Sequence, residues 1–129
     1  MKQQIAYISL LVKDYDEAIL FYTGKLNFCL VEDTQLSPTK RWVIISPPGS
    51  STALLLAKAS NKEQLSCVGN QTGGRVFLFL HTDNFARDYQ NLQENGVSIV
   101  REATQESWGT VAVFADLYGN LWDLIEPYK

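Results

Sequence analysis

An internal repeat constrains this chain more than any other feature of its sequence. A shift of 70 residues carries Tyr15, Ile19 and Tyr22 onto Phe85, Tyr89 and Leu92, Gly49 onto Gly119, and Thr52 to Leu55 onto Trp122 to Ile125. Identity between the halves is low, so the agreement lies in pattern: one apolar helix face and one turn glycine recur at a single offset. A unit that repeats this way is one supersecondary motif used twice.

The content of each unit follows from local signals. Ile5 to Val12 is an apolar, β-branched run that reads as a strand. Asp14 with Glu17 three residues on has the spacing of a capping box, and Tyr15, Ala18, Ile19 and Tyr22 then recur at helical spacing. Phe28 to Val31, Arg41 to Ser46 and Thr52 to Ala57 read as three further strands, the second ended by the turn signal Pro47-Pro48-Gly49. The second half repeats the order. Arg75 to Thr82 is a strand, and Phe85, Tyr89 and Leu92 mark a helix with Gly96 at its C-terminal end. Val97 to Val100, Thr110 to Phe114 and Leu121 to Ile125 are strands, with Asp116 to Asn120 as the last turn.

The chain is therefore expected to be α+β, built of two βαβββ modules at about residues 1–58 and 75–129, with residues 59–74 as a connector inside a single domain. That connector is polar, contains Gly69, Gly73 and Gly74, and has room for one helical turn near Lys62 to Leu65. In each module a helix covers one face of a four-stranded sheet, and the other face must find a partner. Two modules side by side form a curved mixed sheet whose concave face encloses a cleft, the default place for a ligand.

Composition narrows the function classes. With 129 residues, 46% apolar and 19% charged, the chain has the make-up of an ordinary globular protein with a sizeable core. The net charge of −3 comes without a basic cluster, which argues against nucleic acid as a partner. No apolar run approaches membrane-spanning length, and Met1 to Tyr7 lacks a signal-peptide pattern, so a cytoplasmic location with no membrane partner is expected. Cys29 and Cys67 are expected to be unbridged, buried or half-buried thiols. Gly73-Gly74 precedes a strand and so makes no phosphate loop.

The wording of both modules resembles the vicinal-oxygen-chelate superfamily of glyoxalases, bleomycin-resistance proteins and extradiol dioxygenases. Val12-Lys13-Asp14, Ala18, Phe21-Tyr22 and Leu26-Asn27-Phe28 look like that family's opening module. Asn27 stands where glycine is usual, and asparagine tolerates the left-handed backbone required there. Gly96-Val97, Phe114, Asp116 and Gly119-Asn120 look like its closing module. The resemblance covers essentially the whole chain. It implies the glyoxalase/bleomycin-resistance fold and a homodimer, but the superfamily hosts several chemistries and pure binding proteins, so the fold does not select the activity.

In metal-using relatives, four inward-facing strand positions hold a divalent ion. Carried over by motif, they are Tyr7, Ala53, Phe77 and Asp123 in this chain. Alanine and phenylalanine have no donor atom, a neutral phenol is a poor ligand, and only Asp123 is an ordinary one. His81 is the only histidine, so a site of two histidines and a carboxylate cannot be built within one chain. No cofactor is expected.

The remaining candidates each carry two readings. His81 shares strand parity with Arg75, Phe77 and Phe79, so it either faces the cleft or supports the rim. Asp123 is a cleft carboxylate able to act as a base, or a structural ion-pair partner. Tyr7 donates to a ligand or packs. Arg75 binds an anionic group or caps the strand edge in solvent. Trp42, Trp108 and Trp122 form an aromatic wall, or lie in the core. Two functions follow from different classes. The first is a metal-free protein that binds a small, partly aromatic molecule through Tyr7, Ala53, Phe77, His81, Asp123, Arg75 and Trp42. The second is a lyase, isomerase or dioxygenase with a relocated metal, or one that uses Asp123, Tyr7 and His81 as acid-base groups.

Overall fold

A computed structural model describes residues 1–128, and their contacts divide the chain into two compact units, Met1–Val68 and Gly69–Lys129. In the first, the elements are β1 (Tyr7–Val12), α1 (Tyr15–Gly24), β2 (Cys29–Gln35), β3 (Arg41–Ser46), β4 (Ala53–Lys58) and α2 (Lys62–Cys67). In the second they are β5 (Val76–His81), α3 (Phe85–Glu94), β6 (Ser98–Glu106), β7 (Gly109–Ala115) and β8 (Leu121–Pro127). The sheets are ordered β1-β4-β3-β2 and β5-β8-β7-β6. In each, the first strand pairs in parallel with the last and the remaining ladders are antiparallel. This is the tandem βαβββ arrangement that the repeat implies.

In the first unit Asp14 caps α1, its carboxylate accepting the Glu17 backbone N–H at 2.8 Å. The helix buries Tyr15, Ala18, Phe21 and Tyr22. Phe21 thus takes the buried place that helical spacing gave to Ile19, which stays half-buried. Asn27 has φ of 60°, the left-handed conformation that lets the chain reverse from α1 into β2. Under the helix, Leu10, Val12, Val43, Ile45, Leu54 and Leu56 are all nearly inaccessible. The polar stretch after β4 does more than connect: α2 forms there, capped by Asn61, and packs against β1.

In the second unit Asn84 caps α3, and Glu126 on β8 accepts the Phe85 backbone N–H at 2.6 Å, which ties the helix start to the last strand. Phe85 and Leu92 are the buried residues of α3, and Trp122 stacks on Phe114 with centroids 5.9 Å apart. The turn between β7 and β8 is organised by Asp116. Its carboxylate accepts the backbone N–H groups of Tyr118, Gly119 and Asn120 and the Asn120 side-chain amide, each at 2.9 Å. Gly69 packs against this turn, and a Cβ on it would meet the Tyr118 carbonyl oxygen at 1.8 Å.

Strands β2 and β6 run further than their apolar stretches, because pairing with β3 and β7 continues past the last apolar residue. Both are edge strands, and β2 is exposed along its whole length. Cys29 is therefore exposed and not buried as its residue type suggested, while Cys67 is half-buried; both are free thiols. Trp122 lies in the core, 2% exposed, and Trp108 lies in the β6–β7 turn, 51% exposed, so neither extends an aromatic wall along a sheet face.

Replacing Asp116 with alanine leaves several buried N–H groups without their acceptor, and such groups cost about 1–3 kcal/mol each when unsatisfied. We expect Asp116→Ala to lower the urea unfolding free energy by about 3 kcal/mol or more, and Gly69→Ala to be destabilising by steric conflict. A change below about 0.5 kcal/mol for Asp116→Ala would contradict the role given to this turn.

Candidate functional site

Each helix covers one face of its sheet, and the candidate residues lie on the other. In the second unit, Trp122 and Leu124 are buried, and the residue between them, Asp123, points to the opposite face and is half-buried. Cross-strand pairing aligns Phe79 with Asp123, Asp123 with Val113, and Val113 with Arg101. These four residues make one row across β5, β8, β7 and β6. Phe79 is 63% exposed, so this face is not under the helix.

The carboxyl of Asp123 is pushed above its ordinary pKa by burial, and the charge of Arg101, two strands away, pulls it partly back. Among the described residues Asp123 has no ion-pair partner. It is therefore a partly desolvated carboxylate held on a sheet, with a cation in the same row and a phenyl ring beside it. Such a row can bind a flat ring that carries a hydrogen-bond donor.

Phe77 falls in a register shift between Val76 and Leu78 and has no aligned partner on β8. In the first unit, by contrast, Tyr7 aligns directly with Ala53. Strict transfer by the 70-residue offset would pair Phe77 with Asp123; the β5–β8 register is already one residue off at Val76–Leu121, and the irregularity after Val76 adds one more, so that Phe79 takes that place. His81 is the last residue of β5, exposed and aligned with Ile125, and Arg75 is exposed just before β5. They flank the Asp123 row at either end of the strand.

In the first unit, Tyr7 is 50% exposed and meets the edge of Trp42, with centroids 5.9 Å apart and planes at 87°. Ala53, beside Tyr7, is buried. Where β3 begins and β4 ends, a cavity of about 660 Å³ opens, lined among others by Tyr15, Lys40, Trp42, Leu55, Ala57 and Lys58. Arg41 also borders it, but its guanidinium is committed. Nε and Nη2 donate to the two carboxylate oxygens of Asp33 at 3.1 and 2.7 Å, Nη1 donates to Asp16 at 3.0 Å, and the group lies over the Tyr15 ring. These bonds hold Asp33 below the usual carboxylate range.

The superfamily metal does not fit these residues. The transferred positions supply a phenol, a methyl, a phenyl and one carboxylate. Among the described residues no group of three or more His, Cys, Asp or Glu side chains is placed to hold an ion. The site residues that sequence reading passed over are Arg101, Lys40, Lys58 and the pairing role of Phe79. Regular extension of β6 would set Arg101 opposite Ala112; a register shift after Ile99 brings it to Val113 and so into the Asp123 row, which no sequence pattern marks, and the lysines gave no signal either, because a cavity at a sheet end leaves no periodicity.

Comparison with known proteins places this geometry. A protein of Shewanella frigidimarina is 59% identical over 98% of this chain and 95% of its own length. YetH of Bacillus subtilis is 27% identical over 98% of this chain and its full length. Among solved structures, UcmS2 superposes with a TM-score of 0.85 at 27% identity, covering 98% of this chain and 99% of that one. TnmS3, an antibiotic binding protein from Streptomyces, superposes with a TM-score of 0.80 at 29% identity over 98% of both chains. The family model for the Glyoxalase/Bleomycin resistance protein/Dioxygenase superfamily matches residues 4–124, and with the two βαβββ units in place the chain belongs to that superfamily.

Proposed function

We propose that this protein binds a small, partly aromatic molecule, as bleomycin-resistance-type members of the superfamily do, without the superfamily's metal centre. The observation that carries the reading is the make-up of the helix-free faces. Tyr7 with Trp42 in one unit, and Phe79 with Asp123 and Arg101 in the other, offer ring surfaces and a few polar groups where relatives have metal ligands. Phe77, Ala53, His81 and Arg75 border the same faces. The likeness to an antibiotic binding protein supports it. We also propose a cytoplasmic location, which the free thiols Cys29 and Cys67 suit because that compartment is reducing.

Titration with a panel of polycyclic aromatic antibiotics, read by calorimetry, tests the proposal. At least one compound should bind saturably at one molecule per chain, and Phe79→Ala should weaken it by about tenfold, the equivalent of about 1.4 kcal/mol. A panel with no saturable binder would refute the reading.

Asp123 gives a second test with a definite sign. Its folded pKa lies above that of an unfolded aspartate, so its ionised form costs stability at neutral pH, and the cost vanishes below the unfolded value of about 3.9. Asp123→Asn should therefore stabilise the protein at pH 7, by less than about 1 kcal/mol at this partly exposed position, and not at pH 3. The same change should weaken a cationic or hydroxylated ligand by about tenfold. Stability lost at pH 7 would assign Asp123 a structural role instead.

Two further expectations concern composition. Elemental analysis after dialysis against a weak chelator should find well under one nickel, zinc or iron per chain; one per chain would overturn the metal-free reading. We also propose a homodimer, supported by the exposed apolar Tyr7, Val31 and Phe79 and the open edges of β2 and β6. Light scattering should give twice the 14.5 kDa chain mass, and a monomer mass at all concentrations would exclude it.

A further inference from the structure

The cavity at the end of the first sheet has an electrostatic character that the small-molecule reading does not specify. Among the described residues that line it, two are lysines, Lys40 and Lys58, and none is acidic. Neither lysine has an ion-pair partner among the described residues, whereas the nearby carboxylates of Asp33 and Asp16 are both taken by Arg41. Three cations, Lys40, Lys58 and Arg41, against two carboxylates, Asp33 and Asp16, leave a net charge of +1 around the cavity, with the two lysines as its unpaired cations. A concave surface with unmatched charge of one sign concentrates ligands of the other.

A third donor is built into the wall. Ser60 donates to Gln64 Oε1 through its backbone N–H at 2.8 Å and its hydroxyl at 2.9 Å. The oxygen of the Gln64 amide is thereby fixed, and its Nε2, a donor only, has no acceptor among the described residues. Trp42 and Leu55 line the same cavity and add apolar surface to it. The volume of about 660 Å³ is in the range of cavities that hold drug-sized molecules.

We infer that this cavity takes the anionic end of a planar aromatic ligand, a carboxylate or an ionised phenol, between Lys40, Lys58 and Gln64, with the ring against Trp42. The inference rests on the small-molecule reading and adds the sign of the ligand's charge at this cavity. It is tested by calorimetric titration of the full chain with 2-naphthoate and with 2-naphthylmethanol, a neutral molecule of nearly the same shape. At low salt, naphthoate should bind about tenfold more tightly, the equivalent of about 1.4 kcal/mol. The advantage should disappear in the double variant Lys40→Gln/Lys58→Gln, and it should shrink at about 1 M salt, where the screening length falls to about 3 Å. Both lysines are exposed, so the variant should keep its fold, checked by circular dichroism. Equal affinity for the two probes would overturn the inference while leaving small-molecule binding in place. A naphthoate preference untouched by the double variant would also overturn it, as would no binding of either probe; in that last case the antibiotic panel and Phe79→Ala still decide the broader reading.

Discussion

The structure depends on an inequality built into its repeat: each four-stranded sheet has two faces and only one long helix to cover them. In the first unit α1 lies over Leu10, Val12, Val43, Ile45, Leu54 and Leu56, and these residues lose nearly all their accessible surface. At about 25 cal/mol per Å² of buried apolar surface, this face supplies most of the unit's driving force to fold. The alternate residues of the same strands are left with a different task. Tyr7 and Phe79 remain at least half exposed, which is unusual for large rings on a sheet. The separation is sharpest on the first strand of each unit; in the central strands both faces are buried, as Ile44 and Ala53 in the first unit and Val111, Val113 and Ile125 in the second show.

The repeat also shows where one solution was reached twice by different chemistry. Ser46 and Asp116 occupy equivalent positions, each just ahead of a turn that ends in a glycine with positive φ, Gly49 at 77° and Gly119 at 105°. The Asp116 carboxylate gathers three backbone N–H groups and an amide. The Ser46 hydroxyl donates instead to the carbonyls of Pro47 and Ser50. Proline explains the exchange. Pro47 and Pro48 have no N–H to offer, so an acceptor-only carboxylate would find fewer donors there, and their fixed φ already restrains the turn. The glycine is common to both because the backbone reversal is common to both.

What the sequence made legible follows from the same physics. The bounds of β3, Arg41–Ser46, are legible in the sequence because a β-branched apolar run ends at a proline pair. The cap at Asp14 and the left-handed Asn27 were readable because side-chain chemistry dictates them locally. The ends of β2 and β6 were not, since polar residues pair in an exposed edge ladder as readily as apolar ones, and no pattern marks where the ladder stops. The site suffered most from this. Arg101 lies past the apolar part of β6, and the partner of Asp123 was set by a register shift in β5, a departure from the 70-residue symmetry that only hydrogen bonding reveals. Trp108 and Trp122 show the limit of reading aromatics by type: one is in a turn and one is in the core.

This division of faces bears on how a chain keeps the superfamily fold while three of the four positions that resemblance assigns to metal ligands hold residues unsuited to that role. Replacing a residue under the helix removes buried contacts and typically costs 2–5 kcal/mol for a leucine or isoleucine truncated to alanine. Replacing a half-exposed residue on the other face removes far less, because surface changes away from caps and networks usually stay within about 0.5 kcal/mol. Tyr7 and Phe79 belong to the second class. Asp123 goes further: its raised pKa means that the fold is paid nothing for keeping it ionised. A carboxylate whose ionised form adds no stability can be exchanged at little cost to the fold, whereas Trp122 and Leu124 on either side of it, both buried, cannot.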